Sequence, residues 1–160
     1  RSQLRLNDEL TVWAAQYHPL GLTAVAARAY EWPALVSSES AGITLLLMEQ
    51  PPTAAIIDSV EAAVRWFERQ QIRDQQLLRN ADGIRLQASP GAKPLWARFY
   101  DLAKQQPLFV DRDGKRYASL AQLSLERQLG YGWYQSHAAK VLKAYPAWRL
   151  RVRTSSAASH

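Results

Sequence analysis

The stretch from Ala54 to about Gln70 constrains this chain more than any other. Ile56, Ile57, Val60, Val64 and Phe67 recur at spacings of three and four, which lays one apolar stripe along a helix. Pro51 and Pro52 rule out an earlier start, and Thr53 stands where a side-chain cap belongs. Such a stripe has to be buried, so the chain folds around a core. Its 160 residues suffice for one domain of that kind. With 48% hydrophobic and 21% charged residues, the composition is that of a globular domain, not a disordered chain.

Weaker signals predict further helices. One covers Glu9 to Gln16 with Asn7 or Asp8 as its cap, and an Ala-rich one covers Leu22 to Trp32, ended by Pro33. A third is capped by Ser37, Ser38 or Ser40 and stopped by Pro51-Pro52. Ser119 and Gln122 form a capping-box pair that opens a helix ended by Gly130, and a last helix covers His137 to Ala144, before Pro146. Strand signals are confined to the middle. Leu77-Leu78, Ile84 and Leu86 flank the turn Asn80-Ala81-Asp82-Gly83. Two later stretches, Leu95 to Leu102 and Pro107 to Leu120, read as an extended pair with a turn at Asp113-Gly114. The Ser- and Ala-rich residues 155–160 are expected to form a frayed tail. The fold class expected is mainly α, with short strands and hairpins in the second half.

The longest apolar run, Ile43 to Met48, is far short of the roughly 18 residues of a membrane span. Cys is absent, which removes disulfides, thiolate metal sites and a Cys nucleophile. Arg1 opens no signal-peptide pattern, and a chain that lacks an initial Met is expected to be a processed protein or a piece of a longer one. The formal charge is +6, which favours a polyanionic partner. Of the basic residues fifteen are Arg and five Lys, and Arg is the residue whose planar fork suits carboxylate or phosphate.

No P-loop, dinucleotide or nucleophile-elbow motif occurs. His18, His137 and His160 lie far apart, and no metal-ligand spacing surrounds them. Asp111 and Asp113 straddle Arg112 and fit a turn better than a pair of catalytic carboxylates. What remains is Arg in aromatic or acidic company: Arg28 with Tyr30 and Glu31, Arg98 with Trp96, Phe99 and Tyr100, and Arg112 between two Asp. Such residues either pair with local carboxylates or line a groove where forks meet anions and rings stack on flat ligands. Sugars and nucleobases both fit that groove.

The segment LWARFYDLAKQQPLFVDRDG resembles the pectate lyases of polysaccharide lyase family ten, in which W-A-R-F-Y-[DE] precedes a Pro-x-Phe stretch and an R-D-G turn. Downstream, YASLAQLSLERQLGYGWY resembles that family's Ser-Leu, E-R-R and GY-x-WY pattern. Upstream, TVWAAQYHPL, AARAYEWPAL, ESAGI and IDSVEAAVRWF follow it in order. Two departures stand out. Tyr17-His18 replaces a His-Asp pair, and Gln128 replaces the last Arg of E-R-R.

The resemblance implies part of an α/α toroid, with residues 1–154 forming the C-terminal half of the catalytic module. It implies calcium-assisted β-elimination on polygalacturonate or pectin by a secreted or periplasmic enzyme. It assigns the catalytic base to Arg28 and substrate contacts to Arg98, Arg112 and Tyr100. The calcium ligands are expected mainly outside this chain, in an N-terminal half preceding Arg1 that would also be its partner. A noncatalytic module that binds acidic polysaccharide is the alternative. No specific nucleic-acid or membrane partner is implied.

Overall fold

The structure is a computed structural model and describes residues 2–157. It opens with β1 (Arg5–Leu6), β2 (Glu9–Leu10) and β3 (Ala34–Val36), then two helices, α1 (Ser37–Met48) and α2 (Ala54–Arg69). The strands β4 (Gln75–Asn80), β5 (Gly83–Ala88), β6 (Trp96–Ala97), β7 (Phe99–Asp101), β8 (Phe109–Val110) and β9 (Arg116–Tyr117) follow. A 3-10 turn (Leu120–Gln122), α3 (Leu125–Leu129), β10 (Tyr134–Gln135) and α4 (Ala138–Ala157) complete the order.

This corrects the expectation of a mainly α toroid. Four α-helices share the described residues with ten short strands, and the strands begin near the N-terminus rather than in the second half. They form antiparallel pairs: β1 with β2, β3 with β7, β4 with β5, β6 with β10 and β8 with β9. The helices do not alternate into rings. α1, α2 and α4 pack together on one side, and no described helix is long and apolar enough to cross a membrane.

The α2 stripe behaves as its period demands. Thr53 Oγ1 accepts from the Ile56 N–H at 3.3 Å, and Val60, Val64, Trp66 and Phe67 are buried. α4 runs through Pro146, contrary to the expected stop. Val141, Tyr145, Trp148 and Val152 continue at helical spacing on either side of the proline, and all four pack into the core. That burial outweighs the hydrogen bond the proline removes. Of the stretch read as a tail, residues 155–157 continue α4 and 158–160 lie outside the described residues.

Two expected helices are extended chain or turns. Asn7 and Asp8 do not cap a helix; at φ 49° and 62° they form the tight turn between β1 and β2. Residues 11–15 then run along β3, with Val36 N–H donating to Trp13 O and Ala15 N–H to Ala34 O, each at 3.0 Å. β-Branched Thr11 and Val12 fit that extended backbone. Leu22 to Trp32 also fails as a helix, because tertiary pairing overrides alanine propensity. Ala24 bridges back to Tyr17, and Glu31 N–H donates to Arg28 O at 2.9 Å to close a turn.

Candidate functional site

Arg98 stands where one strand segment changes partners. β6 before it pairs with β10, and β7 after it pairs with β3. Its own backbone bridges both sides, with Arg98 N–H donating to Trp133 O at 2.8 Å and Ser37 N–H donating to Arg98 O at 3.1 Å. The serines expected to cap α1 do this joining instead. Ser37 Oγ donates to Ala97 O at 2.8 Å, and Ser40 Oγ accepts from Trp13 N–H at 3.1 Å, leaving Val36 at the N-cap.

Arg112 projects from the turn between β8 and β9, where Gly114 has φ 75°. A Cβ on Gly114 would approach Ala29 O to 3.2 Å, so glycine lets this turn lie against the Arg28 turn. Trp32 Nε1 reinforces the contact, donating to Gly114 O at 3.1 Å. Asp111 ties the same turn to α3. Its carboxylate accepts from Arg112 N–H at 2.7 Å, Ser124 N–H at 2.5 Å and Ser124 Oγ at 2.9 Å. Ser124 in turn caps α3, which splits the single helix expected after Ser119.

The three predicted arginines therefore converge although 84 positions separate the first from the last. Arg28 and Arg112 donate to the same Tyr30 hydroxyl, at 3.2 and 2.9 Å. The rings continue the chain of contacts. Tyr30 meets the guanidinia of Arg112 and Arg127 at 4.8 and 5.0 Å from its centroid, and Tyr131 meets Arg127 and Arg98 at 4.7 and 4.8 Å. The order is Arg112, Tyr30, Arg127, Tyr131, Arg98. Along this ladder lie two pockets of about 190 and 220 Å³ that share Tyr30, Glu31, Arg127 and Tyr131.

Each predicted arginine has a resident glutamate. Glu126 takes Arg112 in a two-point grip at 2.8 and 3.2 Å, Glu39 takes Arg98 at 3.0 Å, and Glu31 lies 3.9 Å from Arg28. Exposed pairs of this kind contribute about 0.2 to 1 kcal/mol, so an incoming carboxylate can displace them. Hydrogen bonds to Glu126 hold Arg112 firmly protonated, and the Tyr30 hydroxyl with Glu31 pushes Arg28 the same way. Arg98 keeps a buried Nε–H with no protein acceptor.

Tyr100 does not join this group. It is 1% exposed, packs edge-on against Trp66, and its hydroxyl accepts from Ala97 N–H at 2.9 Å. Burial pushes its phenol pKa well up. Gln128 lines neither pocket. Its Oε1 accepts from Ile84 N–H at 3.2 Å and its Nε2 donates to Leu123 O at 2.8 Å, fastening α3 to β5. Tyr17 and His18 serve their own loop, with Tyr17 OH accepting from Ala14 N–H at 2.6 Å. Tyr30 stands beside Arg28 in the sequence, whereas Arg127 and Tyr131 carry no local signal of a place in the cleft. All three lie inside the family-like segments, but no local spacing encodes their stacking.

No group of three or more His, Asp or Glu able to hold a metal occurs among the described residues. The cleft glutamates already face guanidinia, and Asp111 is occupied by Ser124 and Arg112 N–H. The described residues of this chain therefore do not by themselves fit calcium.

Solved structures of a family 10 polysaccharide lyase from Cellvibrio cellulosa resemble this chain at 36% identity and a TM-score of 0.83. One is a mutant in complex with trigalacturonic acid. Each match covers 91% of this chain and 46% of the other, so the chain spans about half their length. The chain belongs to the pectic acid lyase family, whose sequence model matches residues 1–142. No curated protein matches it.

Proposed function

We propose that this chain supplies the arginine side of a polygalacturonate lyase cleft that cleaves by β-elimination. The observation that carries the reading is the convergence of Arg28 and Arg112 on one Tyr30 hydroxyl, with Arg98 on the same ladder. In such a reaction a base removes the proton on the carbon beside the uronate carboxylate. A carbon–carbon double bond forms as the glycosidic oxygen leaves, and that oxygen is protonated. Negative charge builds on the carboxylate, so guanidinium forks beside it stabilise the transition state. Arg112 and Arg98 take that role here by exchanging Glu126 and Glu39 for uronate.

Arg28 is the proposed base. It must first leave Tyr30 and Glu31, since both favour its charged form, and it needs an alkaline medium. The same environment supports the second reading, a cleft that binds uronate without turning it over. Calcium belongs to this proposal with ligands mainly from outside this chain, and no step is drawn through it. The remaining half of the family fold is the proposed partner, and the proposed location is secreted or periplasmic.

The test is ultraviolet absorbance of unsaturated uronides, at alkaline pH, with the complete catalytic module. Arg28→Ala should abolish turnover and spare uronate binding, because proton removal matters only in the transition state. Turnover close to wild type in Arg28→Ala would remove Arg28 from the chemistry. Binding with no turnover in the wild type would favour the second reading.

A further inference from the structure

Arg28, Arg98 and Arg112 each have a glutamate within ion-pair distance. Arg127 has no such partner among the described residues, although it is only 4% exposed. Its Nε donates to Val110 O at 3.2 Å. Among the described residues its two terminal nitrogens donate to no protein group, and the residue lines both pockets. A buried cation is normally paired, and an unpaired one is costly to keep. Three rings surround this one instead, with centroids at 4.7 Å for Tyr131, 4.9 Å for Trp133 and 5.0 Å for Tyr30. Ring faces attract the cation but leave its in-plane N–H groups without acceptors.

We infer that Arg127 is an anchor for a uronate carboxylate, held by its aromatic cage at the junction of the two pockets with its terminal N–H groups kept for ligand. This rests on the galacturonate reading proposed above. The residue is built to stay in place. Ser124 Oγ accepts from Arg127 N–H at 3.4 Å, and Trp133 Nε1 donates to Arg127 O at 3.0 Å. Burial draws its pKa below the ordinary arginine value, and an arriving carboxylate would restore what desolvation removes. Carboxylate and guanidinium match as planar forks, which a methyl ester cannot do.

The experiment is calorimetric titration and thermal melting of the complete catalytic module with trigalacturonic acid, comparing wild type, Arg127→Met and Arg127→Lys. An anchor requires Arg127→Met to bind about tenfold or more weakly, with a melting temperature no lower than wild type, because an unpaired buried charge has gone. Ligand should raise the wild-type melting temperature and leave that of Arg127→Met unmoved. Arg127→Lys keeps the charge without the fork and should also bind at least several-fold more weakly. If the Met variant does not fold, the Lys variant decides by the same criterion. A variant that binds like wild type overturns the anchor and leaves the galacturonate reading standing. A lower melting temperature with unchanged affinity means that Arg127 only holds its rings. Failure of the wild type to bind overturns both.

Discussion

On the helical side Trp66, Trp96, Trp148 and Phe67 are fully buried, and the indole N–H groups of Trp66 and Trp96 find acceptors within the core. Trp96 Nε1 donates to Phe67 O and Trp66 Nε1 to Gln105 Oε1, each at 2.8 Å. On the cleft side the contacts are cation–ring, guanidinium–carboxylate and turn–turn, and the partners lie far apart in sequence. The first side is stabilised by area removed from water, so it tolerates no loss of volume. The second is held by polar geometry that contributes little to stability but fixes where each guanidinium sits. Damage to one side should therefore be separable from damage to the other.

The largest separation is expected from Trp66→Ala. Emptying this fully buried site should cost about 3 to 5 kcal/mol, read as a lower denaturant midpoint. Uronate affinity should survive wherever the protein remains folded. Asp111→Ala should break the rule of separation in the other direction. It strands the N–H groups of Ser124 and Arg112, costing about 1 to 3 kcal/mol, and loosens Arg112 and α3 together. Stability and uronate affinity should fall in the same variant. A stability loss with full affinity would show that Asp111 does not position the cleft.

Thr53→Ala removes the α2 cap and should cost about 1 kcal/mol with no change in uronate affinity. That helix was fully legible in the sequence, because cap, stripe and flanking prolines agree within twenty residues. α4 was legible only up to Pro146, since a local rule about proline cannot anticipate packing that spans it. The cleft was half legible. The motifs mark Arg28, Arg98 and Arg112, which the fold brings together. Strict alternation would place Tyr100 on the face of Arg98, but it is turned into the core because the strand changes partners at Arg98. Tyr30 and Tyr131 reach the arginines only through the turn at Glu31 and the end of α3, which no local spacing encodes. The toroid expected from the resemblance failed for a similar reason. Residues 9–15 and 22–32 have sequences that tolerate a helix, but pairing along β3 and back to Tyr17 gives them extended and turn conformations.

The mildest perturbation is pH. Burial alone would raise the Asp101 and Asp111 carboxyls. Backbone N–H donors outweigh it, helped by Arg116 at Asp101 and by Ser124 at Asp111, and hold both below the usual carboxylate range. Glu126 is lowered mainly by its hydrogen bonds from Arg112. Groups depressed on folding stabilise the protein fully above their unfolded values, near 4, and that stabilisation is lost as pH falls through the lower folded values. Melting temperature should accordingly fall with pH below about 4. Asp101→Asn and Asp111→Asn should each flatten that fall. An acid limb unchanged in both variants would mean that other groups control it.

The most direct measurement of the central claim is calorimetric titration of trigalacturonic acid into the complete wild-type module and into its Arg98→Ala/Arg112→Ala variant. Arg112 is exposed and Arg98 half-buried with an unpaired Nε–H, and each is held by one glutamate, so the variant should melt within a few degrees of wild type. Losing two charge-assisted contacts should weaken binding by roughly a hundredfold or more. Equal affinity in the two proteins, or no binding by the wild type, would contradict the assignment of this arginine ladder to uronate recognition.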